Sequence, residues 1–194
     1  MFNGIIKNTG VIYRIDKKKN YLNITLKSNI SLSKKEIGSS ISCSGTCLTL
    51  ITYKKNLITF YLSKETLNKS NFKYLKKGSL INIEKSMKFG DRISGHFVQG
   101  HVDTICSVKE ILILGKSWFI SFNMNKKFRS LIVQKGSIAI NGVSLTISKI
   151  LKNGFQIAVI PTTLQLTNLI KLKKKDFVNV EFDVLGKYIN KSLK

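Results

Sequence analysis

The chain has 194 residues, of which 43% are hydrophobic, and this is enough to build the core of one large domain or two small ones. It contains no run of 18 or more apolar residues and no recognisable secretory signal at its start, so we expect neither a membrane protein nor an exported one. The net charge of +23 suggests nucleic acid as a partner, but almost all of the basic residues are lysines spread along the whole chain, which argues against a concentrated phosphate-binding patch.

Short runs of β-branched and aromatic residues, separated by turn signals such as KKN and KNG, predict β-strands along the whole chain. In chain order these runs are YLNITLK (21–27), LTLITY (48–53), LITFYL (57–62), SLINIE (79–84), WFISFN (118–123), SIAI (137–140), SLTISKI (144–150), FQIAVI (155–160) and FVNVEF (177–182). About six strands in each half predict small antiparallel barrels, although the strand pattern alone also fits a pair of β-sandwiches.

Each half also predicts one short helix. SKKE (33–36) has the capping-box pattern, and MNKKFRSLIVQKG (124–136) spaces its apolar residues as on a helix face. In the tail, Val184 and Tyr188 stand four residues apart, as do Leu185 and Ile189. This spacing predicts a short amphipathic helix suited to a subunit contact, and a frayed end fits about as well.

The two halves of the sequence match each other. A shift of 97 residues aligns forty residues without a gap, and further upstream the shift becomes 96, so that NGII (3–6) falls on QGHV (99–102). The informative matches are Gly45 with Gly142, Leu48 with Leu145, Thr49 with Thr146, Asn71 with Asn168, Asn82 with Asn179 and Glu84 with Glu181. We therefore expect two copies of one fold, at 1–94 and 95–186, followed by a short tail at 187–194.

The cysteines and histidines give no sign of a metal site. Cys43, Cys47 and Cys106 form no CxxC pair, so neither a disulfide framework nor a zinc knuckle is predicted, and a reducing compartment fits best. The two histidines both lie in GHFVQGHVD (95–103), where an odd separation places them on opposite faces of a regular strand. No third ligand follows at a suitable spacing.

The two histidines differ in their expected roles. His96 lies at the junction between the copies, where a surface or interdomain hydrogen bond is the simplest interpretation. His101 stands where the first copy has Ile5, so a group that can exchange protons near neutral pH replaces an aliphatic one. His101 is therefore a candidate for proton transfer, and a structural role is about equally supported.

A second difference between the copies is Cys47 in GTCLT against Ser144 in GVSLT. Cys47 is a candidate nucleophile, but a small buried residue is the better interpretation from this motif alone. KETL (64–67) and PTTL (161–164) begin turns whose free N–H groups could hold a heteroaromatic ring or a polyol, or serve only as helix caps. Two similar pockets predict two similar ligands.

Taken together, seven segments resemble riboflavin synthase of the alpha-chain type, in order and in spacing. They are MFNGII, GTCLT, KETL, GDRISGHFVQGHVD, GSIAINGVSLTI, IPTTLQLTNL and VNVEFDVLGKYI, and they span nearly the whole chain. The resemblance implies an all-β fold with few short helices: two tandem six-stranded antiparallel Greek-key barrels plus a short C-terminal helix. It also implies a cytoplasmic homotrimer and allows association with lumazine synthase.

The resemblance further implies a reaction. Two molecules of 6,7-dimethyl-8-ribityllumazine dismutate by transfer of a four-carbon unit, which gives riboflavin and 5-amino-6-ribitylamino-uracil without a metal or redox cofactor. The active site is expected between the N-barrel of one subunit and the C-barrel of its neighbour. Loss of a proton from the C7 methyl group of the donor requires a base or a polarised hydroxyl.

The family motifs place the site residues in this sequence. Those expected to act in the chemistry or at the close approach of the two ligands are His101, Ser144, Cys47, Phe2, Ser40 and Asp183. Those expected to line the N-barrel pocket are Gly4, Ile5, Ile6, Cys47, Leu48, Thr49, Tyr61, Leu62, Ser63, Lys64, Glu65 and Thr66. Those expected to line the C-barrel pocket are Gly100, His101, Val102, Lys135, Ser144, Leu145, Thr146, Val159, Ile160, Pro161, Thr162, Thr163 and Leu164.

Two other functions remain open from the sequence. A lumazine- or flavin-binding protein of the same fold that performs no chemistry would keep the repeat and lose pocket residues in one copy. A basic nucleic-acid-binding barrel would show salt-sensitive binding and aromatic stacking platforms. Both copies retain their pocket motifs here and the aromatic residues form no recognisable platform, so the enzyme is favoured.

Overall fold

The computed structural model describes residues 1–192, which form twelve strands and three α-helices. The strands of the first half are β1 (Asn8–Lys17), β2 (Tyr21–Ser28), β3 (Ser40–Cys43), β4 (Thr46–Lys54), β5 (Leu57–Ser63) and β6 (Leu80–Lys85). Those of the second half are β7 (Thr104–Leu114), β8 (Ser117–Asn123), β9 (Ser137–Ile140), β10 (Val143–Leu151), β11 (Gly154–Val159) and β12 (Phe177–Phe182). The helices are α1 (Lys64–Lys69), α2 (Pro161–Leu166) and α3 (Val184–Ser192).

Each set of six strands closes into an antiparallel barrel with the same strand order. The N-barrel runs β1-β2-β5-β4-β3-β6, and the C-barrel runs β7-β8-β11-β10-β9-β12. The long first strand of each barrel carries a bulge at the equivalent place, between Ile12 and Arg14 and between Val108 and Glu110. The predicted pair of Greek-key barrels is confirmed, and the β-sandwich alternative is wrong because both sheets close on themselves.

Alternation of side chains explains why these runs form barrels. Leu22, Ile24 and Leu26 are the inward residues of β2 and are at most 3% exposed. They pack in the N-barrel core, and Phe122 and Phe155 stand at the centre of a separate core in the C-barrel. Full burial of an aliphatic or aromatic side chain contributes roughly 1.5–3 kcal/mol, so each barrel has its own hydrophobic stabilisation.

The predicted helix in each copy forms as a 3₁₀ turn. In the first, Lys34–Glu36, the carboxylate of Glu36 accepts a 2.7 Å hydrogen bond from the Ser33 N–H, as a capping box requires. The second turn is Lys126–Leu131. Two further 3₁₀ turns, Asn71–Tyr74 and Asn168–Lys171, follow α1 and α2. None of the helices within residues 1–192 has the length and apolarity needed to cross a bilayer.

The predicted C-terminal helix is present and begins earlier than the expected tail. α3 starts directly after Asp183, whose Oδ1 accepts a 3.0 Å hydrogen bond from the Leu185 N–H. This contact caps the first turn in the usual way, because an aspartate oxygen satisfies a free N–H at the helix start. The last two residues of the tail, 193–194, lie outside the described residues.

A buried polar network joins the barrels with approximate twofold symmetry. Asn71 N donates to Asn179 Oδ1 at 2.6 Å, and its repeat equivalent Asn168 N donates to Asn82 Oδ1 at 2.7 Å. In return, Asn82 Nδ2 reaches the Asn141 carbonyl at 2.9 Å, and Asn179 Nδ2 reaches a carbonyl of the N-barrel at 2.8 Å. Buried amides are costly unless paired, so this network fixes how the two barrels sit on each other.

Candidate functional site

The segments that lead into the two barrels cross over between them. Phe2 and Val98, one from each segment, form an antiparallel bridge with N–O distances of 2.7 and 3.1 Å. Both side chains are fully buried and pack with Ala139 and Cys47. From this crossing point each segment continues onto the opposite barrel.

The first segment lies across the start of β10 in the C-barrel. The Ser144 N–H donates to the Gly4 carbonyl at 2.8 Å, and Ile6 is buried in the C-barrel core. Gly4 has a φ of +73°, and a Cβ at this position would stand 2.7 Å from the Ser144 backbone nitrogen. Only glycine allows so close an approach in that conformation. We call the region around Ser144, Gly4 and the start of α2 the Ser144 half-site.

The second segment lies across the start of β4 in the N-barrel in the same way. The Cys47 N–H donates to the Gly100 carbonyl at 2.8 Å. Gly100 has a φ of +79°, and a Cβ there would lie 2.7 Å from Cys47 Cβ. A cavity of about 270 Å³ opens here, lined by Thr46, Cys47, Glu65, Thr66, Lys69, Ser70, Gly100, His101 and Val102. We call this region the Cys47 half-site.

Two glutamates, Glu84, which is half-buried, and Glu181, which is buried, hold the crossing segments in place. Glu84 of β6 accepts from the Asn3 N–H at 2.7 Å and from the Gly4 N–H at 3.0 Å. Glu181 of β12 accepts from the N–H groups of residues 99, 100 and 101 at 2.7, 2.9 and 3.0 Å. Burial raises the pKa of both carboxyl groups, and the N–H donors oppose that shift by stabilising the charge. Each barrel therefore anchors a segment whose tip completes the half-site of the other barrel.

The Ser144 half-site contains a hydrogen-bonded histidine. His96 is only 9% exposed, and its Nδ1 lies 2.7 Å from Ser144 Oγ. Its Nε2 is buried without a hydrogen-bond partner in the described part of the chain. Burial lowers the pKa of His96, and the negative charge of Asp183 opposes that shift in part. The ring is therefore neutral at pH 7 and can exchange a proton with the serine hydroxyl.

The Cys47 half-site is built differently on the same frame. Its histidine, His101, is exposed and stands in the crossing segment directly after Gly100. The equivalent residue of the other segment is Ile5, which is 37% exposed. α1 begins beside Cys47, with the Thr66 N–H donating to Ser63 Oγ at 3.1 Å. Within residues 1–192, no three His, Cys, Asp or Glu side chains are grouped as metal ligands.

The structure brings the expected site residues together as two sets. Two three-residue segments, however, lie on the barrel opposite to the one we expected. We expected residues 4–6 in the N-barrel pocket and residues 100–102 in the C-barrel pocket. Residues 4–6 instead lie on the C-barrel beside Ser144, and residues 100–102 lie on the N-barrel beside Cys47. The physical reason is the crossing at Phe2 and Val98, which sends each segment to the opposite barrel.

Several expected lining residues face the barrel interiors instead. Leu48 and Leu62 are buried in the N-barrel core, and Val159 and Leu164 are buried in the C-barrel core. Leu145 is partly buried against the C-barrel core. On the strands this follows from the alternation of side chains, since a neighbour of an outward residue points inward. Their expected place as lining residues stays a prediction. The outward residues on the same strands are Cys47, Thr49, Tyr61, Ser63, Ser144 and Thr146, which are exposed or partly exposed.

The remaining expected residues occupy varied positions. Phe2 is fully buried at the crossing and supports Cys47 from below rather than opening to solvent. Ser40 pairs with Thr49 on the outer face of the β3–β4 ladder. Lys135 is exposed, and its N–H donates to the Ile147 carbonyl at 2.8 Å. Others lie at the start of the two helices, namely Lys64 and Glu65 in α1 and Ile160, Pro161, Thr162 and Thr163 at α2.

Sequence reasoning missed three groups of functional positions. The contact of His96 with Ser144 was expected only as a generic interdomain hydrogen bond. The anchoring roles of Glu84 and Glu181 had a usable signal: each is an acidic residue at the end of a buried apolar strand, in a chain with only ten acidic residues. The asparagine network had the same signal, since its members matched between the copies without a chemical reason.

Comparison with known proteins agrees with this geometry. The family model described as lumazine binding domain matches twice, at residues 3–86 and 99–183. Curated proteins named riboflavin synthase match over nearly the full chain. Those of Actinobacillus pleuropneumoniae and Bacillus subtilis are each 34% identical over 193 residues, covering 100% of this chain and 90% of theirs. That of Escherichia coli is 36% identical over 185 residues, covering 94% of this chain and 87% of its own.

Two solved structures share the fold. The LumP complex with riboflavin superposes with a TM-score of 0.84 at 24% identity and covers 94% of this chain and 99% of the LumP chain. The LumP complex with 6,7-dimethyl-8-(1'-D-ribityl) lumazine gives a TM-score of 0.81 at 24% identity and covers 93% of this chain and 98% of the other. At this identity the likeness establishes the tandem-barrel fold.

Proposed function

Because the chain belongs to the riboflavin synthase family, we propose that its two half-sites each bind one 6,7-dimethyl-8-ribityllumazine and that it catalyses their dismutation. One molecule gives a four-carbon unit to the other, and the products are riboflavin and 5-amino-6-ribitylamino-uracil. The observation that carries this function is the duplication itself. Two equivalent half-sites, each made by a crossing segment on a barrel, suit a reaction whose two substrates are the same compound.

Positioning supplies much of the rate in such a reaction. Two rigid barrels that hold their ligands face to face replace a bimolecular encounter with an oriented contact, and well-oriented intramolecular reactions gain roughly 7–11 kcal/mol. The crossing segments that complete the half-sites are held by the carboxylates of Glu84 and Glu181, which accept hydrogen bonds from their backbone N–H groups. The reaction needs no metal or redox cofactor, because the two substrates exchange carbon atoms between themselves.

The proton steps are assigned to the two histidine-containing clusters. The donor must lose a proton from its C7 methyl group, and Ser144 with His96 supports this role. A hydroxyl that donates to a neutral imidazole can take up a proton from carbon as its own proton passes to Nδ1. His101 and Cys47 serve the second ligand at the other half-site. Asp183, whose charge acts on His96, favours the imidazolium form that appears during transfer.

The assembly is proposed to be a homotrimer in the cytoplasm. α3 supports a subunit contact, since Leu185, Tyr188 and Ile189 are 61%, 70% and 62% exposed and lie on one stripe of the helix. In that assembly the N-barrel of one subunit would face the C-barrel of its neighbour and complete the active site. All three cysteines are free thiols. Association with lumazine synthase stays a prediction from the resemblance.

A direct assay tests the proposed function. Purified protein treated with a chelator is mixed with 6,7-dimethyl-8-ribityllumazine alone, and flavin absorbance is followed with lumazine loss. We expect one flavin for every two lumazine molecules. Tight lumazine binding without flavin would identify a binding protein like the LumP structures, and it would overturn the enzymatic proposal.

A further inference from the structure

The N-barrel carries a second cavity, of about 490 Å³, that shares no lining residue with the Cys47 half-site. α1 separates the two, because its Thr66 lines the half-site and its Leu67 lines the cavity. The volume lies within the usual range for a small-molecule site, roughly 300–1,000 Å³. Nothing in the proposed reaction uses this space.

The floor of this cavity is apolar. Leu22 and Phe72, which are 3% and 2% exposed, form its base and belong to the N-barrel core. Ile15, Leu67 and Leu75 pack around them and are only partly buried. An apolar floor of this kind favours a ligand with a hydrocarbon or aromatic body, because water gains little by filling it.

The rim is strongly basic. Five cationic side chains surround the opening, and they are Arg14, Lys17, Lys73, Lys76 and Lys77. Arg14 Nε donates to Asp16 Oδ1 at 2.8 Å, and this exposed ion pair offsets part of the charge of one of the five cations. Lys77 also lies 5.7 Å from the ring centroid of Tyr13, which holds its charge over the opening. Cations gathered around one opening attract an anion.

The C-barrel provides an internal comparison, because strand pairing fixes which residues are equivalent. Leu22 pairs with Lys17, and the equivalent ladder in the C-barrel pairs Trp118 with Ile113. The C-barrel thus has an indole where the cavity floor has a leucine. Arg14 and Glu110 are equivalent because each directly follows the bulge of its strand. Lys73 and Ile170 are equivalent because each is the third residue of its 3₁₀ turn.

The charges of the two barrels diverge at these positions. The equivalents of the eleven lining residues include three cations and one carboxylate in the C-barrel, namely Lys109, Lys173, Lys174 and Glu110, against five cations in the N-barrel. A general excess of lysine along the chain would place similar numbers of cations at these positions in both barrels. The concentration of charge around one apolar floor therefore marks the N-barrel cavity as distinct.

From the apolar floor, the basic rim and this asymmetry, we infer that the N-barrel cavity binds a small amphipathic anion, with its hydrocarbon or aromatic body on Leu22 and Phe72 and its phosphate or carboxylate head at the lysine rim. The site is separate from both half-sites. Binding here therefore does not compete with lumazine or riboflavin.

Calorimetry on the full chain with octyl phosphate tests this inference, with octyl glucoside and inorganic phosphate as matched probes that each keep one half of the ligand. We expect one octyl phosphate per chain, bound at least tenfold more tightly than either half-probe and equally well when riboflavin is saturating. Stronger binding of inorganic phosphate alone would reduce the site to a surface anion contact. Displacement of octyl phosphate by riboflavin would place it in a half-site. Either result overturns the inference.

Two pairs of lysines give a matched set of variants. Lys17→Ile with Lys73→Ile copies the C-barrel residues at the rim, and Lys173→Ile with Lys174→Ile removes the same charge from the C-barrel. We expect the first double variant to weaken octyl phosphate binding at least tenfold and the second to leave it unchanged. Equal weakening in both would mean that only net charge matters, which overturns a local site.

Leu22→Trp fills the floor with the indole found in the C-barrel and should abolish binding. Flavin formation checks that each variant is folded, since none of these residues belongs to a half-site, and this rate should stay within twofold. Because the assay of flavin formation is independent of octyl phosphate, failure of the cavity inference leaves the proposed reaction untouched. If Leu22→Trp does not fold, the lysine pairs still decide the question.

Discussion

The two half-sites share a frame and differ in the groups mounted on it. In both, the carbonyl of a glycine with positive φ accepts a hydrogen bond from the start of a strand, β10 or β4, and a glutamate carboxylate holds the segment. The Ser144 half-site adds a buried histidine in contact with its hydroxyl, while the Cys47 half-site offers a thiol and an exposed histidine. The duplication therefore gives both half-sites the same backbone arrangement. Only a few side chains differ, and these distinguish the roles of the two ligands.

The largest expected effect comes from His96→Gln, which removes the histidine from the Ser144 half-site. Loss of a general base costs roughly 10²–10⁴ in rate, and we expect kcat to fall about 10²- to 10³-fold. Riboflavin affinity should change less than about threefold, because the ring touches Ser144 rather than the outer pocket face. Steady-state kinetics and equilibrium binding on the same preparation measure both. A parallel loss of kcat and affinity would assign His96 to uniform binding instead.

The rate of flavin formation should also depend on pH through the protonation of His96. Burial lowers the pKa of His96 below its ordinary value, so the neutral ring predominates near neutral pH. As pH falls through that lowered pKa the ring gains a proton and can no longer accept one, so the wild-type rate declines on the acid side. The His96→Gln variant should lack this acid limb. An acid limb that persists unchanged in the variant would place the titrating group elsewhere.

His101→Gln removes the histidine of the Cys47 half-site and so tests that half-site in the same way. Because His101 is exposed and its backbone N–H donates to Glu181, we expect a smaller fall in kcat of about tenfold, with less effect on riboflavin binding. Ile5→Gln, at the matching position of the other segment, is the control and should leave kcat nearly unchanged. A larger loss for Ile5→Gln than for His101→Gln would reverse our assignment of the two segments.

Glu84→Gln and Glu181→Gln test the frame that the half-sites share. An amide keeps the shape but places an NH₂ against backbone N–H donors, so each change should lower the free energy of unfolding by about 1–3 kcal/mol. The loss should be larger for Glu181, which is buried and accepts three N–H bonds, than for half-buried Glu84, which accepts two. Urea unfolding measures them, and Glu110→Gln on the exposed face of β7 is the control, expected within about 0.5 kcal/mol. If either substitution lowers the free energy of unfolding by no more than the Glu110→Gln control does, that glutamate does not anchor its crossing segment.

The smallest effect is expected from Cys47→Ser, which gives both half-sites a hydroxyl at the equivalent position. A hydroxyl retains a donor and an acceptor in nearly the same place, so kcat should change less than about fivefold, or roughly 1 kcal/mol. The assay is flavin formation from the lumazine alone. A loss of about 10²-fold would instead identify the Cys47 thiol as a nucleophile.

The fold followed from the sequence because local patterns encode it. Alternating strands, turn signals and the internal match of the two halves predicted two barrels, and the structure confirms both barrels and the C-terminal helix. The helices after β5 and β11 were not predicted as helices. α1 and α2 have only six residues each, too few to show an apolar period.

The half-sites were predicted only in part, because their decisive contacts are non-local. The motifs identified Cys47, Ser144 and both glycines. Gly4 and Gly100 would match each other in sequence whether each segment lies on its own barrel or on the other one. A sequence match cannot separate these two arrangements. The two glutamates show the same limit, since Glu181 accepts from the N–H groups of residues about eighty positions earlier.

The crossing of the two leading segments also constrains the order in which the chain can mature on a ribosome. The first six residues emerge at once, yet Phe2 pairs with Val98 and Ile6 packs in the C-barrel core. At synthesis rates of roughly 5–20 residues per second, this apolar stretch waits on the order of ten seconds without its partners. The N-barrel can close during that interval, but its ligand site cannot, so the newborn protein acquires both binding sites together, at the end of translation.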